Sequence, residues 1–158
     1  MKGLFHMKAI IFSDSHGNFN SMAKAIGKEK DIDMIIHAGD INRDISDLEI
    51  AYPRPAVAGV RGNNDFWDAS YPDERTFTFD NVKIFLTHGH LYGVKYSLAK
   101  LSAKGREIGA DICIFGHTHA HLNESDSGIT LFNPGSASRH YGILETNGKE
   151  FSLFVKEI

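Results

Sequence analysis

The chain has 158 residues, 42% apolar and 23% charged, with a formal net charge of −3. That length fits one domain, taken here as residues 1–158 with an ordered core over about 8–156. A pI near 6.3 leaves no basic footprint for nucleic acid or an anionic membrane, and one cysteine, Cys113, excludes a disulfide framework or a cysteine-based zinc cage.

The first apolar run, residues 9–12, leads into Ser13-Asp14-Ser15-His16. It is too short for a signal-peptide core, and no later stretch approaches the twenty or so apolar residues of a membrane span, so a cytoplasmic protein is expected. Phe19, Met22, Ala23 and Ile26 keep helical spacing after Asn18, a ready N-cap. Residues 34–36 form the second run and enter His37-Ala38-Gly39-Asp40. A short helix is predicted over 43–50, before Pro53 and Pro55 force an extended passage. The third run, 56–60, enters Arg61-Gly62-Asn63-Asn64-Asp65. Residues 76–79 alternate, turn at Asp80-Asn81 and pair with the fourth run, 82–86, which ends in Thr87-His88-Gly89-His90. Val94, Leu98, Leu101 and Ile108 predict a longer helix with Gly105 as a weak point. The fifth run, 112–115, enters Gly116-His117-Thr118-His119, and Asn147-Gly148 predicts a closing hairpin between 141–145 and 151–155. Short continuous β-rich runs read as strands buried on both faces, so the fold class is α/β with a largely parallel core and antiparallel additions.

Each of the five runs ends in a group that can bind metal. These are Asp14 with His16, Asp40, Asn63, His88, and His117 with His119. Successive groups lie 23 to 29 residues apart, about one strand plus its return. Ligands of open α/β sheets bind at the carboxyl ends of strands, so the fold would gather all seven at one edge. Carboxylate, imidazole and amide oxygen without thiolate suit Mn, Fe, Zn, Co or Ni. Seven side chains exceed one tetrahedral ion and match two ions, the usual clamp for phosphoryl transfer to water. Each motif alone would pass as a turn; together, each at a strand end, they do not.

Asp14-x-His16, Gly39-Asp40, Gly62-Asn63-x-Asp65, His88 and Gly116-His117-x-His119 resemble the ordered motif set of calcineurin-like metallophosphoesterases. Length and the Asn133-Pro134-Gly135-Ser136 turn resemble the small stand-alone prokaryotic phosphodiesterase branch. The resemblance implies a four-layer α/β/β/α sandwich of two mixed β-sheets with flanking helices. It also implies that Asp14, His16 and His119 hold one divalent ion, that Asn63, His88 and His117 hold the other, and that Asp40 bridges. Manganese is the first expectation for both. The implied reaction is hydrolysis of a small phosphate ester, a diester or a monoester, by a metal-bridging hydroxide. Two divalent ions outweigh two carboxylates and a hydroxide, so the site would attract an anion despite the negative chain.

One position departs from that pattern. Many members carry His after Gly-Asn, as candidate acid for the leaving group; here it is Asn64. An amide can hydrogen-bond phosphate but supplies no titrating proton. His90 is the nearby alternative donor. Asp65 either orients the site or stabilises its turn. His37 reads as a hydrogen-bonded core residue, His121 as an outward imidazole, and His6 and His140 have no motif context. Arg139 is a phosphate contact or a solvated surface residue. Phe66, Trp67 and Tyr71 form either an exposed rim or a subunit contact, leaving a homo-oligomer open. The retromer scaffold subunit resembles the same branch, so a non-catalytic interaction scaffold is the alternative; the complete ligand set favours the enzyme.

Overall fold

In the computed structural model, which describes residues 7–158, the first strand, β1 (Met7–Phe12), is buried on both faces along most of its length. Ala9 and Ile11 join one core with Ile36, Ile84, Leu86, Ile114 and Phe132, while Ile10 and Phe12 join another with Met22, Leu48 and Tyr141. A strand with two buried faces has no polar side to reveal, which is why the run is continuously apolar.

β2 (Met34–His37) and β3 (Ala56–Gly59) extend the sheet in parallel from β1. The hairpin of β9 (His140–Asn147) and β10 (Glu150–Glu157) extends it antiparallel on the other side, giving the order β10-β9-β1-β2-β3. The second sheet contains β4 (Glu74–Phe79), β5 (Val82–Thr87), β6 (Ile112–Ile114), β7 (Leu122–Asp126) and β8 (Ile129–Asn133), in the order β4-β5-β6-β8-β7. β5, β6 and β8 run parallel, with antiparallel edges. α1 (Phe19–Lys28) and α2 (Asn42–Ala51) cover the first sheet through Met22, Ala25 and Leu48. α3 (Ala99–Ile108) covers the second through Leu101, packed with Phe85, Cys113 and Leu131. Three apolar layers therefore separate four layers of structure, the α/β/β/α sandwich of two mixed sheets.

Four local expectations need correction. β7 and β8 were not expected: Asn123, Glu124, Ser125 and Asp126 of β7 are exposed edge residues without an apolar face, while β8 is buried but lacks a metal-type carboxylate or imidazole at its end. The third helix starts at Ala99, not near Val94. Gly93 is left-handed there, and Val94 is buried against Gly89 instead of facing along a helix. The last hairpin turns on Gly148-Lys149, one residue later than expected, since Asn147 pairs with Glu150. Asp80 and Asn81 do turn the other hairpin, both with positive φ as a type I′ turn requires. Gly105 is not a weak point: a Cβ there would sit 2.4 Å from Cys113 Sγ, so glycine lets α3 lie close on β6.

Asn18 caps α1 as expected, accepting from the Ser21 N–H at 3.2 Å. The other end of α1 is tied to β9 and β10. Buried Tyr141 donates its hydroxyl to Glu29 at 2.6 Å, and Lys156 reaches the same carboxylate at 2.9 Å. Burial alone would raise the Glu29 carboxyl, but Tyr141 and Lys156 outweigh it and hold it below its ordinary value. Tyr141→Phe should therefore cost about 1.5–3 kcal/mol, the range for a hydrogen bond to a charged group. A depressed carboxyl contributes stability above its unfolded range and loses it as pH falls through the folded value. The difference between wild type and variant in urea midpoint should shrink on acidification; a constant difference would make the loss one of packing.

Candidate metal centre

The loops after β1, β2, β3, β5 and β6 meet at one edge of the sandwich, stitched by their own backbone. The Ala38 N–H donates to the Phe12 carbonyl, Asp14 N–H to Gly39, Val60 N–H to His37, and Gly116 N–H to His88. Gly116, at the end of the second sheet, also lies against Ser13 and Asp14 of the first. Side chains from both sheets thus share one small volume.

Asp14 stands at its centre, almost fully buried. Its Oδ2 accepts from the Ser13 hydroxyl and the His117 N–H, both at 2.9 Å. Its Oδ1 is buried without a hydrogen-bond partner. That oxygen faces His119 Nε2 at 3.3 Å, His88 Nε2 at 3.6 Å and His16 Nε2 at 3.8 Å. Burial raises the Asp14 carboxyl to about 6, against the pull of Ser13 and His117.

His88 is oriented from behind. Its Nδ1–H donates to the Ala38 carbonyl at 2.7 Å, and burial depresses the ring to about 4. The neutral ring therefore turns a lone pair on Nε2 toward Asn63 Oδ1 at 3.0 Å and Asp40 Oδ2 at 3.6 Å. Four electron-pair donors converge here with no proton between Nε2 and Asn63 Oδ1. Asp14, Asp40 and His88 are buried while Asn63 reaches in from the exposed side, and buried acceptors that face one another are costly unless a cation lies among them, so the donor set fits a metal.

Two three-membered groups have donor atoms within 4.8 Å of one another: Asp14, His16 and His119, and Asp14, Asp40 and His88. Asn63 adjoins the second group through His88. The His16 and His119 rings lie 5.2 Å apart, and the His117 ring lies 5.1 Å from His88. His117 thus sits on the His88 side but outside either compact group; burial lowers its pKa, and the charge of Lys95 lowers it further. Asp14, His16, His117 and His119 all hold positive φ, between 46° and 70°. Such conformations cost about 1–3 kcal/mol each and persist only where the surroundings enforce them.

The other sequence candidates take distinct places. Asn64 turns onto Asp40, donating its Nδ2–H to Oδ2 at 2.7 Å and its N–H to Oδ1 at 3.1 Å. Asp65 does not reach the centre. It is buried, and its oxygens accept the backbone N–H groups of Asn42 at 2.9 Å and Gly62 at 2.8 Å. His90 lies 5.5 Å from the His88 ring, with a buried, unpartnered Nδ1. His37 is fully buried and kept neutral at about 3, mainly by burial. The His121 and His140 rings lie 5.1 Å apart, tilted at 58°, beside Gly135. Cys113 is a buried core residue, as its surroundings predict. His6 lies outside the described residues.

Sequence reasoning missed the supports. Gly39 N–H donates to His37 Nδ1, so His37 Nε2–H donates to Ser15, whose hydroxyl passes to Asp44 at 2.6 Å. Asp44 also accepts the Gly17 N–H at 2.7 Å, fixing the loop that carries Asp14 and His16. An acid in the first turn of a helix is ordinary, so nothing in the sequence marked Asp44. Asn133 accepts the Gly135 N–H and donates to the Gly116 carbonyl, while Ser136 donates to the Asp14 carbonyl. The Asn-Pro-Gly-Ser turn is thus a structural brace against the site.

No helix among the described residues is long and apolar enough to cross a membrane. The chain is 39% identical over 133 residues to the probable metallophosphoesterase YsnB of Bacillus subtilis, covering 82% of this chain and 75% of that one. It is 27% identical to a phosphodiesterase of Methanocaldococcus jannaschii, covering 96% of this chain and all of the relative. Among solved structures it is similar to wild-type Vps29 of Entamoeba histolytica complexed with zinc, at TM-score 0.71 and 20% identity, covering 96% of this chain and 98% of that one; this shows the fold alone. Residues 7–153 match the calcineurin-like phosphoesterase superfamily domain, so the chain belongs to that superfamily and is a metal-dependent phosphoester hydrolase.

Proposed function

We propose that the chain hydrolyses phosphodiester bonds of small substrates with two divalent transition-metal ions, manganese first among them. Asp14, His16 and His119 would hold one ion, Asn63, His88 and His117 the other, and Asp40 both. The observation that carries this is the convergence of the unpartnered Asp14 Oδ1 with His88 Nε2, Asp40 and Asn63. When bound, such a pair supplies an acidified water and a clamp on the phosphoryl oxygens.

The chain's own residues prepare that chemistry. The Ser13 hydroxyl and His117 N–H favour ionised Asp14 against its burial. The Ala38 carbonyl fixes the His88 tautomer, the usual task of a partner behind a ligating imidazole. Asp65 ties the Gly62-Asn63 turn to α2. Asn64 can hold a phosphoryl oxygen but cannot protonate a leaving group, which leaves His90 as the nearby titratable donor.

The direct test is reconstitution with Mn²⁺. Two equivalents should bind per chain, with metal-stimulated hydrolysis of bis(p-nitrophenyl) phosphate. Two equivalents bound without turnover of any ester would favour the scaffold reading. Asn64→His isolates the missing acid. It should raise kcat on alkyl diesters toward the 10²–10⁴-fold range of general acid catalysis and barely change aryl esters, whose leaving groups need no proton. An equal effect on both would reject the argument.

A further inference from the structure

Five large hydrophobic side chains among the described residues are exposed, and their placement is uneven. Phe66 and Trp67 follow Asn63–Asp65, Leu91 and Tyr96 follow His88, and only Ile50 lies on an α-helix. Four of the five therefore stand on the two loops that carry Asn63 and His88. Ser138, Arg139 and His121, on the loops after Asn133 and His119, are exposed too but polar.

Phe66 and Trp67 are the sharpest part of the apolar set. They are 76% and 73% exposed, and they meet edge to face with centroids 4.7 Å apart and planes at 89°. Their loop is fixed. Asp65 is held by two buried backbone donors, the Asp68 N–H returns to the Asp65 carbonyl, and the Asn42 amide donates to the Asp68 carbonyl at 2.9 Å. Tyr71, nearby in sequence, does not share the exposure; it is drawn onto α2 by Ser46 and Glu49. Trp67 is three residues from Asn64, whose side chain touches Asp40. Three residues span at most about 11 Å of backbone, so the segment that carries the two rings starts within the length of one nucleotide of Asn64.

Resting on the phosphodiesterase reading, we propose that Phe66 and Trp67 form a stacking subsite for a nucleobase, so that the substrates are nucleotide esters. A base offers the planar π-face that an exposed, immobilised aromatic pair recognises, while its phosphate lies at the metal side chains. A second copy of the chain is the other occupant to consider. The pair exposes roughly 300 Å². Even with Leu91 and Tyr96 added, the exposed apolar area falls short of the about 800 Å² per partner in a stable interface, which favours the small ligand.

Trp67 is the single tryptophan of the chain, so its emission reports the subsite without turnover. Metal-loaded protein is titrated with adenosine 5′-monophosphate and with ribose 5-phosphate, which shares the phosphate and sugar but lacks the base. Saturable change in Trp67 emission is expected with the nucleotide alone. Stacking is worth about 1–3 kcal/mol per base, so Phe66→Ala should weaken nucleotide binding by about 5- to 150-fold. Calorimetric affinity for ribose 5-phosphate should not change. Equal affinities for the two ligands, with silent emission, would overturn the subsite. So would a Phe66→Ala variant that shifts from dimer to monomer in sedimentation while keeping its nucleotide affinity. Either result with metal-dependent hydrolysis intact removes the subsite alone; loss of metal-dependent hydrolysis in the wild type removes the phosphodiesterase reading and the subsite with it.

Discussion

Asp40→Asn is expected to abolish hydrolysis and to empty both metal positions without unfolding the protein. The substitution keeps size and shape, so it separates charge from packing. Asp40 is almost fully buried, with Oδ2 facing His88 Nε2 at 3.6 Å and both oxygens accepting from Asn64 at 2.7 and 3.1 Å. Removing a partner behind a metal ligand typically costs 10–100-fold in affinity or activity. Removing the carboxylate proposed to touch both ions should cost more, at least about 10³-fold in kcat/KM. Stability without metal should change little, because a buried charge no longer repels the Asp14 carboxylate while one of the two hydrogen bonds accepted from Asn64 is lost. Metal content by mass spectrometry, turnover, and Tm without metal read the three effects separately. Two bound ions and full turnover would refute the bridging assignment.

The centre was legible where the fold repeats one device. Asp14, Asp40, Asn63, His88 and His117 each follow an apolar run, and a parallel strand delivers its carboxyl end to the same edge of a sandwich. Burial on both faces made those strands visible as unbroken runs. β7 escaped because an exposed edge strand such as Leu122–Asp126 has no apolar face to alternate. The start of α3 was misread because Val94 has helical spacing to Leu98 and Leu101 but packs on Gly89 instead. The role of Asp65 was open in sequence, since a carboxylate near ligands and one that ties a turn look alike. Only its bonds to Asn42 and Gly62 show it holding the backbone. Asp44 had no signal at all, because its partner Ser15 is 29 residues away and meets it only in the folded chain.

Gly62→Ala should reproduce the loss expected of Asp40→Asn, although it changes no ligand. In sequence the glycines of Gly-Asp, Gly-Asn and Gly-His look like turn residues, chosen for backbone freedom. Gly62 has φ −103°, which any residue can adopt. Its constraint is space. A Cβ at Gly62 would lie 1.7 Å from Asp40 Oδ1 and 2.5 Å from Cγ, and one at Gly116 would lie 2.7 Å from Asp14 Oδ2. The methyl group would occupy the place of the carboxylate, so Asp40 must swing away or the loop must open, and either separates it from His88. Tight packing transmits that shift with little relief. The expected result is loss of metal and at least about 10²-fold in kcat/KM, consistent with misplacements near 1 Å. Gly27→Ala is the control. That glycine lies in α1 with nothing within 4 Å of the added Cβ, so full activity and a gain of about 0.5–1 kcal/mol are expected. A Gly62→Ala protein with normal metal content would mean that the carboxylate finds another rotamer and that its contact with Gly62 is incidental.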